Sequence, residues 1–377
     1  MRSIPPFTAD QFTVRLLFFN LLLQIAIVLL HTMTNMYGTL MKMGLHLSDY
    51  PGFELFTSTT TMLISNSSMI FFVLSGFLFF KNFDKPGAYR DKIGRRVYTL
   101  LLPYIVWNLL ASKWTMNLLI PLLTPFVPSL HAEAAPMTLV QCFVGEAPAY
   151  LPADAPLWFV RNLIGVMLIS PLIWRAVRSI WSLSWLCSTG ALWMTLWIVG
   201  KHNLSDFAMP LFGFSFGAYL NANKVDFFNI DRRAFVASLT LLIAIMLSPN
   251  VLPGNPYAGF LLSLPKLACI SVILLYISTL CAKSEGVRRF APLGYAAFFL
   301  YLAHTIGMSQ IIEVVWRLIN PSDSFEMILT AVFCWLATVA FWLTVWLTLR
   351  RFAPGLLYVL TGGRLRSRCV PRVQKAG

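Results

Sequence analysis

His31 closes an apolar run at 16–30, and eleven positions before it stands Asn20. At about 100° per residue an eleven-residue step returns to within about 20° of the same helix face, roughly 16 Å away along the axis. Gln24, one turn beyond Asn20, extends that polar line. A polar group in hydrocarbon is costly unless partnered, so every ionisable residue in such a segment is a candidate for function. Histidine titrates near neutrality and suits a general base acting on a hydroxyl. The competing reading is an interfacial histidine satisfied by water or a neighbouring helix. His304, in YLAHTIG, divides the same way between a second base and a structural histidine. His46, His131 and His202 show no metal-ligand spacing and read as solvated.

Two further features frame the histidines. FFVLSGFLFF at 71–80 holds the pair Ser75-Gly76, and Lys81, Lys85, Arg90, Lys92, Arg95 and Arg96 follow it. The small pair allows close helix contact, or it gives a thin ligand room beside a hydroxyl. No GxSxG elbow exists, so a covalent serine mechanism is not favoured. Lys and Arg bind phosphates through charge-assisted hydrogen bonds. A phosphorylated cytoplasmic ligand with its tail threaded toward Ser75-Gly76 accounts for both features, whereas anchoring of a cytoplasmic loop accounts for the basic one alone. Arg161 in LWFVRNL, beside Trp158, either snorkels outward or holds an anion or polarises a carbonyl inside the protein.

These residues need a scaffold. The chain has 377 residues, 58% hydrophobic and 12% charged, against about a quarter charged in a soluble domain. Apolar runs of about 20 residues recur, the length a bilayer-crossing helix needs. The expected fold is all-α, a polytopic membrane helical bundle of about ten transmembrane helices. They fall near 14–33, 61–80, 97–122, 157–174, 180–200, 205–221, 234–251, 257–281, 292–313 and 327–349. Continuous apolar runs, rather than short alternating ones, argue against a β-barrel. The first span reads as retained rather than as a cleaved signal, since no small-residue cleavage site follows it. Within 205–221, Gly213-x-x-x-Gly217 reads as a helix-packing pair.

Lys and Arg crowd one set of loops, six in 81–96 and seven in 350–377, whereas Lys42, Lys201 and Arg317 fall in the other set. That asymmetry puts both termini in the cytoplasm. The formal charge of +14 is then a matter of topology, with no nucleic-acid partner implied. Residues 1–350 form the transmembrane domain, and 351–377 read as a basic cytoplasmic tail resting on anionic lipid. The six cysteines show no paired spacing, so no disulfide framework is expected.

Four pieces in order resemble the integral-membrane acyltransferase family 3, ten-helix proteins that O-acylate cell-envelope carbohydrates. They are FFVLSGFLFF, the basic run RDKIGRRVYTLLLPYIVW at 90–107, LWFVRNL, and FFLYLAHT. The resemblance implies transfer of an acyl group, usually acetyl, from cytoplasmic acetyl-CoA to a saccharide hydroxyl. The setting it implies is a bacterial inner membrane, with no metal. It places the family's helix-1 histidine on His31 and its late histidine on His304. Ser75, Gly76, Arg90, Arg95 and Arg96 become donor-binding residues. Arg161 and Trp158 are candidates for the substrate or oxyanion. The family carries an arginine eleven residues before the first histidine, and this chain has Asn20 there. Arg15 lies on roughly the opposite face, so either another cation, Arg161 or Lys113, supplies the charge or the activity is altered or lost. The alternative reading is a carrier or flippase for an envelope saccharide or lipid-linked precursor.

Overall fold

The computed structural model describes residues 9–42, 44–123, 137–146, 149–226, 228–251 and 261–363, so the expectation for His131 lies outside it. Every regular element among these residues is helical. In chain order they are α1 (Ala9–Lys42), α2 (Pro51–Ile64), α3 (Ser68–Phe79), α4 (Ala88–Arg96), α5 (Leu102–Ala111), α6 (Lys113–Leu123), α7 (Leu139–Phe143), α8 (Trp158–Leu168) and α9 (Ser170–Arg178). There follow α10 (Ser182–Ile198), α11 (His202–Ala222), α12 (Arg232–Val251), α13 (Ser263–Lys283), α14 (Glu285–Arg288), α15 (Ala297–Ala303), α16 (Met308–Ile319), α17 (Ser324–Phe352) and α18 (Pro354–Thr361).

Helix makes up most of the described part of each stretch expected to be a span, with breaks at 65–67, 112, 169 and 304–307. Four helices are long and apolar enough to cross a membrane: Gln11–Lys42, Pro51–Phe79 (α2 with α3), α13 and α17. The number rises to six if each of two bent pairs is one crossing. The first pair, α8 with α9, bends by 65° at Ile169, which leaves helical geometry, and Pro171 in the first turn of α9 has no N–H to carry the α8 ladder across the bend. In the second, the stretch ending in α15 meets α16 at 91°, and Gly307 at the corner has φ 75°. Beyond that corner α16 buries Met308, Ile312 and Trp316 along one stripe, the pattern of a helix lying along an interface.

Close contact between α3 and α11 rests on glycine. A Cβ on Gly217 would meet the Val73 carbonyl oxygen at 2.0 Å, and one on Gly76 the Phe214 carbonyl oxygen at 2.2 Å. The Gly213-x-x-x-Gly217 pair is thus a packing surface. At the α2–α3 break Asn66 is left-handed. Lys266 of α13, 2% exposed, donates there to the Met62 carbonyl at 2.6 Å and the Ser65 hydroxyl at 2.8 Å. Chain polarity released by the break is so recovered, and Lys266 has a structural duty that its surrounding sequence does not signal.

Between α4 and α5 the chain makes one π-helical turn, Val97–Leu101. Pro103 lacks the N–H that would reach back to Thr99, and the Leu102 N–H instead reaches Val97. The stretch expected to begin a basic tail at 351 is packed as far as Gly363. There α18 buries Leu357 and Leu360, and the Trp107 indole donates to the Leu360 carbonyl at 2.9 Å.

Candidate active site

A cavity of about 320 Å³ lies between α1, α3, α8 and α15. Polar groups on its wall are Asn20 and Gln24 of α1, Ser75 of α3, Arg96 and Tyr301. Phe71, Leu74, Leu163 and Phe298 are among the apolar ones. The cavity runs from Arg96, where the basic segment ends, past Ser75 and Asn20 toward Tyr301. The π-helical turn brings both Arg96 and Leu100 to its wall. Two donors on that wall, Gln24 Nε2 and Arg96 Nε, are buried without a hydrogen-bond partner. Buried donors are nearly always satisfied, so two orphans in one cavity suit a ligand with acceptor oxygens.

The histidines lie off that wall, each further along the chain from residues that line it. On α1 the wall residues Asn20 and Gln24 lead on to His31, and on α15 Phe298 and Tyr301 lead on to His304. The two rings face each other with centroids 5.0 Å apart. His304 is fully buried, and its Nδ1 lies 2.9 Å from the Tyr301 carbonyl and 3.1 Å from that of Leu300. A carbonyl only accepts, so Nδ1 carries the proton and Nε2 holds the lone pair. That Nε2 is buried without a partner. Asn35, one turn past His31, donates to the His31 carbonyl at 2.8 Å and accepts from Ser309 at 3.3 Å. This ties α1 to α16 beside the pair.

Several candidate residues lie elsewhere than expected. Gly76 points away from the cavity onto the backbone of α11, so the room expected there for a ligand is filled by protein. Ser75 alone of that pair reaches the wall. Arg90 and Arg95 are exposed, and only Arg96 of the basic run enters the cavity wall. Burial, followed by the charges of Arg96 and Arg95, holds Lys92 below its usual pKa, so this cluster gains from any anion that reaches it. Arg161 donates to the carbonyls of Val144 at 2.6 Å and Tyr150 at 2.8 Å and to Asn162 at 3.1 Å. It braces the loop before α8 rather than offering an open fork. Trp158 packs on Phe72, and its neighbour Phe159 lines the cavity instead. Arg15 is buried and donates to the Phe228 carbonyl, away from Asn20. His46 and His202 are exposed.

Sequence reasoning passed over Tyr301, which carried a usable signal: it sits three residues before His304, on the same helix face. It also passed over Asp154, whose place beside Thr305 has no local signature.

The comparisons agree with this geometry. The family model for the acyltransferase domain of integral-membrane acyltransferase family 3 matches residues 21–349, from just past Asn20 to the end of α17. The succinoglycan biosynthesis protein ExoH of Rhizobium meliloti is 25% identical over 300 residues, 77% of each chain. No solved structure matches the chain. With the match running through both histidines, Ser75 and Arg96, the protein is an acyltransferase and belongs to the integral-membrane acyltransferase family 3.

Proposed function

We propose that the protein moves an acyl group, acetyl in the simplest case, from acyl-CoA to a hydroxyl of a cell-envelope saccharide at the inner membrane. The observation that carries this reading is a cavity walled by Arg96 and by Gln24 and Tyr301, whose helices carry His31 and His304 further along, ring to ring. A cavity of about 320 Å³ has room for an acyl-pantetheine arm. The phosphates would stay with Arg90, Lys92, Arg95 and Arg96 at the mouth. Ten crossings with both termini cytoplasmic would put that mouth inside and the histidines toward the outer face. The relative's printed name, succinoglycan biosynthesis protein, favours a saccharide acceptor.

In the proposed step the saccharide hydroxyl oxygen attacks the thioester carbonyl carbon. Its proton passes to the neutral imidazole of His31, with His304 Nε2 as the second acceptor. The carbon–sulfur bond breaks, and the leaving thiolate takes the proton back to become the free CoA thiol. Gln24 Nε2, two turns before His31 on α1, is the nearer amide donor for the developing oxyanion, and Asn20 lies deeper along the donor's path. Histidine bases of this kind contribute about 10²–10⁴-fold.

The test is proton NMR of the envelope polysaccharide from strains with and without the gene. An O-acetyl signal lost on deletion, restored by the wild type and not by His31→Ala, supports the reading. The two bent helix pairs also suit a carrier. Unchanged acylation with less surface polysaccharide would favour carriage.

A further inference from the structure

The loop leading into α8 holds a buried carboxylate that the acyl-transfer step above does not use. Asp154 is 2% exposed. Its Oδ1 accepts the Thr305 hydroxyl at 2.9 Å, and its backbone N–H donates to Asn108 Oδ1 at 3.0 Å. Its Oδ2 is buried with no partner. Two residues along, the Pro156 carbonyl accepts the Tyr301 hydroxyl at 2.5 Å. Tyr301 and Thr305 stand one helical turn apart and bracket His304. The same short loop therefore grips the helix end on both sides of the imidazole.

That grip falls at the most demanding point of the chain. Here α15 stops and α16 leaves at 91°, and of the last carbonyls of α15 Leu300 takes the His304 N–H and Ala303 the Ile306 N–H. His304 uses its Nδ1 on those of Leu300 and Tyr301, which ties the imidazole's orientation to the helix end itself. The seat on the other side is rigid: Asn108 is fully buried and donates to the Tyr104 carbonyl at 2.8 Å.

We infer, resting on the acyl-transfer reading, that Asp154 is a positioning residue for the histidine pair, fixing through Thr305 the broken helix end that carries His304. A purely structural acceptor for one hydroxyl needs no carboxylate, and an unpartnered buried carboxylate oxygen is a liability a neutral side chain would avoid. Burial pushes Asp154 up to about 7, against the opposing pull of the Thr305 hydrogen bond. The titratable group it faces on α15 is Tyr301; Tyr104 of α5 lies next to Tyr301, and Arg161 of α8 next to Tyr104. Once ionised, Asp154 holds Thr305 by a charge-assisted bond, about twice as strong as a neutral one. Its negative charge also favours the imidazolium that forms when the pair takes the hydroxyl proton.

The test uses membrane vesicles carrying the full-length chain, radiolabelled acetyl-CoA as donor and the host's own envelope saccharide as acceptor. Asp154→Asn and Thr305→Val should each lower kcat about tenfold while leaving KM for acetyl-CoA unchanged. The double variant should be no worse than either, because both act through one bond. Thr305→Ser, which keeps the hydroxyl, should restore the wild-type rate, and Asp154→Asn should lose one ionisation from the acid limb of the kcat–pH profile. Additive losses, an unchanged pH profile, or a silent Thr305→Val would overturn the inference. Should Asp154→Asn fail to fold, Thr305→Val and Thr305→Ser decide it, since they alter one half-buried side chain. A wild type that incorporates no label sinks the acyl-transfer reading instead. An active wild type with inactive His31→Ala and unaffected Asp154→Asn sinks this inference alone.

Discussion

The imidazole of His31 lies 5.0 Å, ring centre to ring centre, from that of His304, with the planes 56° apart. One ring comes from the first helix and the other from the corner of a bent pair late in the chain. With Nδ1 of His304 committed to backbone carbonyls, the nitrogen left for chemistry is Nε2.

Removing either ring should therefore cost more than packing. His31→Ala and His304→Ala are each expected to lower acylation by about 10²–10⁴-fold, and the double variant should fall little further, as residues acting as one unit do. The measurement is O-acetyl content or kcat at matched protein level. A double variant whose loss is the product of the singles would assign the rings to separate tasks.

The basic run should split by position. Arg96→Gln is expected to raise KM for acetyl-CoA about tenfold by removing a charge-assisted phosphate contact, whereas Arg90→Gln should have a smaller effect that fades in salt. Arg90 and Arg95 are exposed, and Arg96 lines the cavity. Titration of the donor at low and high ionic strength separates the two cases.

Asp154 makes a prediction about stability as well. Its folded-state pKa, about 7, is raised above its ordinary value of 3.8. The stability it contributes is thus complete below about pH 4 and is lost as pH rises through about 7. The full swing corresponds to about 4 kcal/mol as an upper figure. Melting temperature in detergent should therefore favour Asp154→Asn over the wild type increasingly from acid to neutral pH. A constant difference across that window would show that Asp154 is not buried in its charged form.

Neighbouring residues on α3 should behave oppositely. Gly76→Val forces a Cβ to within 2.2 Å of the Phe214 carbonyl oxygen, and overpacking of that kind costs about 1–3 kcal/mol or more. Ser75→Ala removes only a hydroxyl from the cavity wall. Folded yield on size exclusion should collapse for Gly76→Val and hold for Ser75→Ala.

How much of this the sequence disclosed follows the range over which each signal acts. Helical facing is local, so a shared wall for Asn20 and Gln24 was readable from spacing alone, whereas of the Lys and Arg in 81–96 only Arg96 reaches that wall. Which of Ser75 and Gly76 faces a ligand depends on where α11 passes, and that is set by Gly213 and Gly217, far along the chain. The bends at 169 and 304–307 were missed because hydropathy averages over a window and passes smoothly across a corner. Asp154 and Tyr301 meet only once the loop before α8 folds onto the end of α15.

Lys266 carries a last consequence, one for the order in which the protein is made. The carbonyl of Met62 and the hydroxyl of Ser65 receive their donor from α13, which leaves the ribosome some 200 residues after the α2–α3 break does. The first helix likewise finds neighbours in α13, in 291–296 and in α17. The amino-terminal hairpin must then wait in the bilayer with its break open to lipid and water until the second half arrives. Quality-control proteases would meet that waiting state, so a nascent chain halted before residue 263 should be cleared faster than one halted beyond residue 283.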